Sequence, residues 1–146
     1  MRQESPELYG NTQFGAVVVA ALAIGLVLCL LIGASTGWPW PLTIALVGLA
    51  LLLFLFRSLT TVVTSEHLRI FYGPGLISRT IPRRDIVGSR VGRSGPLYGW
   101  GIRYWPGRGW MWNVSGFDVV VLDLPGGRQF RVGTDDPEGL VDALRR

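Results

Sequence analysis

Histidine and cysteine each occur once in the 146-residue chain, as His67 and Cys29, and lysine does not occur at all. A single cysteine excludes an intramolecular disulfide framework and a cysteine-based metal site. A single imidazole leaves little for nucleophilic catalysis, which needs a nucleophile, a base and an orienting group within reach. His67 stands beside Glu66 in a turn-forming stretch, where a solvated side chain is the ordinary case. The adjacent carboxylates Asp135 and Asp136 are explained by helix capping. The sequence has no Walker-type phosphate loop, and the glycines at 73, 75, 99 and 101 follow no dinucleotide fingerprint. Asn113-Val114-Ser115 matches a glycosylation sequon by chance if its loop is cytoplasmic. The expectation is therefore a protein that is not an enzyme, with no cofactor and no metal. All fourteen basic residues are arginine; codon bias alone, as in a GC-rich genome, would suffice to produce this, and no mechanism is attached to it.

Charge is missing in a second, local sense. Residues 15–33 (GAVVVAALAIGLVLCLLIG) carry no charged side chain, and neither do residues 38–56. As a helix the first run reaches about 28 Å, close to the ~30 Å hydrocarbon core of a bilayer. The second, residues 41–56 (PLTIALVGLALLLFLF), is slightly short and becomes adequate if Trp38 and Trp40 lie in the interface. Pro41 suits a first helical turn, where its missing N–H is no loss. A cleaved signal peptide fits the first run poorly: Arg2 is outweighed by Glu4 and Glu7, and a second apolar run follows at once. The uncharged linker 34–40 contrasts with Arg57, Arg69, Arg79, Arg83 and Arg84 beyond the second run. The positive-inside rule then predicts a multi-pass protein of the inner membrane with both termini cytoplasmic.

Within the first run Ala21, Gly25, Cys29 and Gly33 recur every fourth residue. Such a stripe of small residues lets another helix approach closely. Ala45 and Gly48 offer a counterpart within the hairpin, and a homo-oligomer seam is the other reading.

The division that follows is 1–57, an N-terminal tail with a transmembrane hairpin (about 15–33 and 40–57), and 58–146, one cytoplasmic domain. The second part reads as short strands and turns. The β-branched run 60–64 (TTVVT) and the run 68–72 (LRIFY) are strands, then 76–81 follows the turn Gly73-Pro74-Gly75. A fourth strand is expected over 86–91, and a pair around 101–104 and 110–114. The clearest hairpin joins 119–124 (VVVLDL) to 128–132 through Pro125-Gly126-Gly127. A terminal helix has Asp135 or Asp136 as its cap, Pro137 in its first turn, and Leu140, Val141 and Leu144 on one face. The predicted fold class is an α+β membrane protein, with six or seven antiparallel strands forming a bent sheet or barrel closed by that helix.

The stretch 66–86 (EHLRIFYGPGLISRTIPRRDI) resembles the opening of bacterial pleckstrin-homology-like membrane domains, and 130–144 (FRVGTDDPEGLVDAL) resembles their last strand and helix. The resemblance covers about 58–146 and implies the fold, with hydrophobic hairpins beside it. It does not extend to phosphoinositide binding. That activity relies on basic residues around the first hairpin, which here reads Ser65-Glu66-His67.

Charge is uneven along the domain. Residues 57–108 hold nine arginines against two acids, whereas residues 109–146 hold four arginines against six acids. A tethered domain would turn its basic half toward anionic headgroups, each well-placed basic residue contributing about 1 kcal/mol. Aromatics overlap this half, and the candidate surface for lipid headgroups or a partner comprises Arg79, Arg83, Arg84, Arg93, Arg103, Arg108, Trp100, Trp105, Trp110 and Trp112. For the aromatics, filling a small core is the first reading, lipid-surface contact the second and a protein-binding groove the third. Stacking on single-stranded nucleic acid is the weaker fit for an anchored protein, so no nucleic acid is expected as partner. The expected role is a membrane-surface or partner-binding adaptor, an envelope-associated accessory. The alternative is a structural subunit of a larger membrane complex, assembled through the small-residue stripe by self-association or with another membrane protein.

Overall fold

The computed structural model describes residues 6–146, an α+β chain of two apolar helices, two sheets and a terminal helix. Strand β1 (Glu7–Phe14) comes first, followed by α1 (Ala16–Thr36) and α2 (Trp40–Phe56). Then come β2 (Ser58–Thr64), β3 (His67–Tyr72), β4 (Ile77–Pro82), β5 (Gly88–Arg93), β6 (Gly101–Trp105), β7 (Gly109–Asn113), β8 (Asp118–Leu124) and β9 (Arg128–Gly133). Helix α3 (Pro137–Arg145) ends the chain.

One sheet has the order β1-β2-β3-β4 and is antiparallel throughout. The other has the order β5-β8-β9-β7-β6, antiparallel except where β7 runs parallel to β9. The two sheets do not close into a barrel, and over 58–146 eight strands form where six or seven were expected, with β1 a ninth among the described residues. The largest departure is β1. Residues 7–14 read as a tail in the sequence, yet they pair with β2 from Glu7↔Thr64 to Phe14↔Ser58. Among them only Gln13 is buried, so β1 is an edge strand held by backbone pairing and shows no apolar alternation. The fourth strand expected at 86–91 forms two residues later, as Gly88–Arg93.

Because β1 and β2 are antiparallel neighbours, α1 leaves and α2 returns at adjacent points of one sheet. The junction is tight. Gly15 N–H donates to the Arg57 carbonyl at 2.8 Å. A Cβ on Gly15 would lie 3.1 Å from both the Phe56 carbonyl oxygen and the Val114 Cβ. The β3–β4 turn abuts the end of α2: Gly73 has φ +44°, and a Cβ there would lie 2.6 Å from the Leu55 carbonyl oxygen. Only glycine meets both demands.

Both helices are apolar all round, as segments surrounded by apolar material are, and of their residues only Gly33 is buried. Helix α1, at 21 residues, is long and apolar enough to cross a membrane; α2 is apolar and 17 residues long. At the far end of α1 the Ser35 and Thr36 hydroxyls donate to the Ile32 carbonyl at 2.9 and 2.8 Å, so that both polar side chains fold back on the helix's own backbone.

The core lies between the sheets and under α3. Leu59 and Val63 of β2, Leu68, Ile70 and Tyr72 of β3, Val120 and Leu122 of β8 and Phe130 and Val132 of β9 alternate inward and meet Leu140, Val141 and Ala143 of α3. An aromatic ladder runs from the last residue of α2 into this core. Ring centroids are 4.9 Å apart for Phe56–Tyr72, 5.3 Å for Tyr72–Trp112 and 5.9 Å for Trp112–Phe130. Asp136 is the N-cap of α3, its carboxylate accepting from Gly139 N–H at 3.1 Å, and Pro137 follows in the first turn. Arg83 serves the other end, donating to the Ala143 and Leu144 carbonyls at 3.3 and 3.0 Å. That is where a cation suits the helix dipole.

Candidate functional site

The arginines and tryptophans singled out in the sequence do not share one surface. Trp112 is a core residue, 7% exposed. Arg83 is spent on the α3 carbonyls and on the Thr64 carbonyl. Arg84 is exposed beside Asp85, at 3.9 Å. With Ser65, Glu66, His67 and Pro82 these two arginines edge a hollow of about 360 Å³. Arg93 ends β5 opposite Asp118.

Trp110 and Tyr104 form a second group, ring centroids 5.2 Å apart, on the part of the β6–β7 face that the first sheet leaves uncovered. Arg79 reaches across from β4 and lies 4.8 Å from the Phe130 ring centroid. With Arg128 and Leu124 these residues line a groove of about 350 Å³.

The third group is the best ordered. Strand register places Arg90, Val121, Arg131, Met111 and Arg103 in one row across all five strands of the second sheet. Side chains in such a row share a face, here the face turned away from the core. Val121 and Met111 are buried between the arginines. The segment 94–100 links the two edges of this sheet, with Ser94 buried and its N–H donating to the Phe117 carbonyl at 2.7 Å. Trp100 Nε1 donates to the Gly116 carbonyl at 3.1 Å, and Arg103 Nε to the Trp100 carbonyl at 3.4 Å. Tyr98 packs edge-on against Trp105, centroids 5.3 Å apart, and the Arg108 guanidinium lies 5.3 Å from the Tyr98 ring centroid. Trp100, Trp105, Arg103 and Arg108 thus belong together.

Electrostatics singles out Arg131. Burial first, then the charges of Arg108 and Arg90, hold its pKa below the ordinary arginine value. Its Nε is buried with no hydrogen-bond partner among the described residues. Among the described residues the only carboxylate paired with this row is Asp123, which engages Arg90 and accepts from Gln129 Nε2 at 3.0 Å. Gln129 Oε1 in turn accepts from Arg131 at 3.5 Å. Arg90 and Arg131 escaped sequence reasoning because they lie 41 positions apart in the chain. Each alternates with apolar or small neighbours in its strand, but only the strand order β5-β8-β9 makes them one surface.

Of the helix stripe, Gly25 and Gly33 face α2. A Cβ on Gly25 would lie 3.4 Å from Leu49, and one on Gly33 2.9 Å from Trp38 and 3.0 Å from Leu42. Cys29 is half-buried and Ala21 exposed. No known protein family matches this chain, and no curated protein is significantly similar to it.

Proposed function

We propose that the chain is a two-span inner-membrane protein with cytoplasmic termini, whose pleckstrin-homology-like domain is seated on the leaflet at the root of its helix pair and acts there as a non-enzymatic adaptor. The pairing of β1 with β2 carries this reading, because it requires both helices to enter and leave on the domain's side. Twelve large apolar side chains of α1 and α2, among them Ile24, Leu31, Ile44 and Val47, are exposed. Even at half exposure their contact with water would cost on the order of 10–20 kcal/mol. That matches the whole stability of a typical domain, so a bilayer around the pair is the favoured surrounding. A leader destined for cleavage fits badly, since β1 precedes α1 and is stitched to the domain. Tyr9, Asn11 and Gln13 bond to Asp136, to Thr134 and Asp135, and to Ser115.

The domain's apolar tips support a seat on the leaflet. Phe14 precedes α1, and Leu76, 76% exposed, follows the turn that abuts α2. Leu97, 89% exposed, lies in the segment that Trp100 ties to the 115–117 loop, beside Gln13. Arg57, at the end of α2, and Arg93, four residues before Leu97, are exposed as well, and apolar with basic residues suits the headgroup layer.

The test uses Cys29→Ser protein carrying Leu97→Cys or Ser65→Cys, labelled with an environment-sensitive fluorophore and reconstituted in vesicles containing shallow nitroxide lipids. Quenching at 97 but not at 65 is expected. Equal quenching, or quenching only at 65, would contradict the seat. A second reading, a subunit of a larger membrane complex, rests on the groove between Arg79, Tyr104, Trp110 and Arg128. Its exposed aromatics and arginines are the kind that anchor protein interfaces.

A further inference from the structure

We propose that the outer face of the five-stranded sheet is a binding site for a phosphate-type anion, held by Arg131 at its centre with Arg90 and Arg108 on either side. The inference goes beyond the membrane seat and does not depend on it. Register alone puts Arg90 and Arg131 in one row, two strand spacings apart, or about 10 Å between their Cα atoms. That is within reach of two long guanidinium side chains converging on one ligand. Arg108 joins from the β6–β7 turn, steadied by Tyr98 beneath its guanidinium and by its own N–H bond to the Trp105 carbonyl at 3.0 Å.

Structural duty accounts for little of this charge. Arg83 shows what a structural arginine looks like here: its guanidinium meets three carbonyls. Arg131, on a central strand, reaches only Gln129, at 3.5 Å, and leaves a buried donor free. A buried unpaired donor is costly to keep. One Asp123 among three arginines leaves the cluster net positive. Guanidinium donors are arranged as planar forks, which suits phosphate oxygens and rewards two-point contact.

A phosphate monoester can come from a soluble metabolite or from a lipid headgroup, and the chemistry recognised is the same. Full-length protein in neutral phosphatidylcholine nanodiscs would be titrated by calorimetry with glycerol 3-phosphate. In parallel it would be assayed for capture of separate vesicles with and without phosphatidic acid. Saturable binding of glycerol 3-phosphate identifies a soluble source, and capture confined to phosphatidic acid vesicles identifies a headgroup. In either arm Arg131→Gln and Arg108→Gln are each expected to weaken binding at least tenfold, and Arg84→Gln to leave it unchanged. Arg108 lies in an exposed turn, so its variant remains informative if Arg131→Gln perturbs folding. No saturable binding in either arm, or equal weakening by Arg84→Gln, overturns the site.

Discussion

Tyr9 and Asp136 show how single side chains bind the first strand to the last helix. The Tyr9 hydroxyl donates to the Asp136 carboxylate at 3.0 Å, while the other oxygen of that carboxylate caps α3. Replacing Asp136 with alanine removes both contacts. Loss of the cap alone costs about 1 kcal/mol, so thermal denaturation of the Asp136→Ala protein is expected to begin several degrees lower. Burial, followed by the bond to Asp136 and its charge, pushes the Tyr9 phenol up from 10.0 to about 12. The folded chain therefore holds the neutral phenol more firmly than the unfolded chain does. That stabilisation is complete below pH 10 and is lost as pH rises through about 12. Tyr9→Phe is expected to flatten the decline in melting temperature between pH 10 and 12, and an unchanged slope would assign the decline to other groups.

At the scale of elements, the legible parts were those with strong local chemistry. The apolar runs became α1 and α2, the Pro125-Gly126-Gly127 hairpin formed between β8 and β9, and α3 begins at one of the two aspartates expected to cap it. Strand β1 was not legible, because an edge strand with one buried side chain needs no apolar alternation. The arginine row was hidden for a different reason. Its members come from strands whose order, β5-β8-β9-β7-β6, is set by tertiary packing. Trp112, for which the sequence left core and surface both open, lies in the core between Tyr72 and Phe130. The Gly73 turn is sensitive to a single atom, since it meets carbonyls in the last turn of α2 at a positive φ. Gly73→Ala is expected to destabilise the protein by more than the ~1 kcal/mol that the backbone conformation alone costs. Protease susceptibility between α2 and β2 should rise with it, whereas Gly126→Ala, where no atom lies within 4 Å, should show only the conformational cost.

Across the whole molecule, one strand pair fixes the relation between the helix pair and the domain. The β1–β2 ladder, the Gly15–Arg57 bond and the aromatic ladder from Phe56 to Phe130 make the helix pair a stem continuous with the sheet. A tether loosely linked to its domain would let the domain rotate; this stem holds it in one orientation, which is what the proposed adaptor role requires. The most direct measurement is the sidedness of single cysteines in sealed inverted membrane vesicles. Cys29→Ser protein carrying Glu7→Cys, Ser35→Cys or Ser65→Cys would be treated with an impermeant maleimide. Labelling of positions 7 and 65 from outside the inverted vesicle, with position 35 reached only after lysis, is the expected result. Labelling of positions 35 and 65 from the same side would contradict the two-span stem.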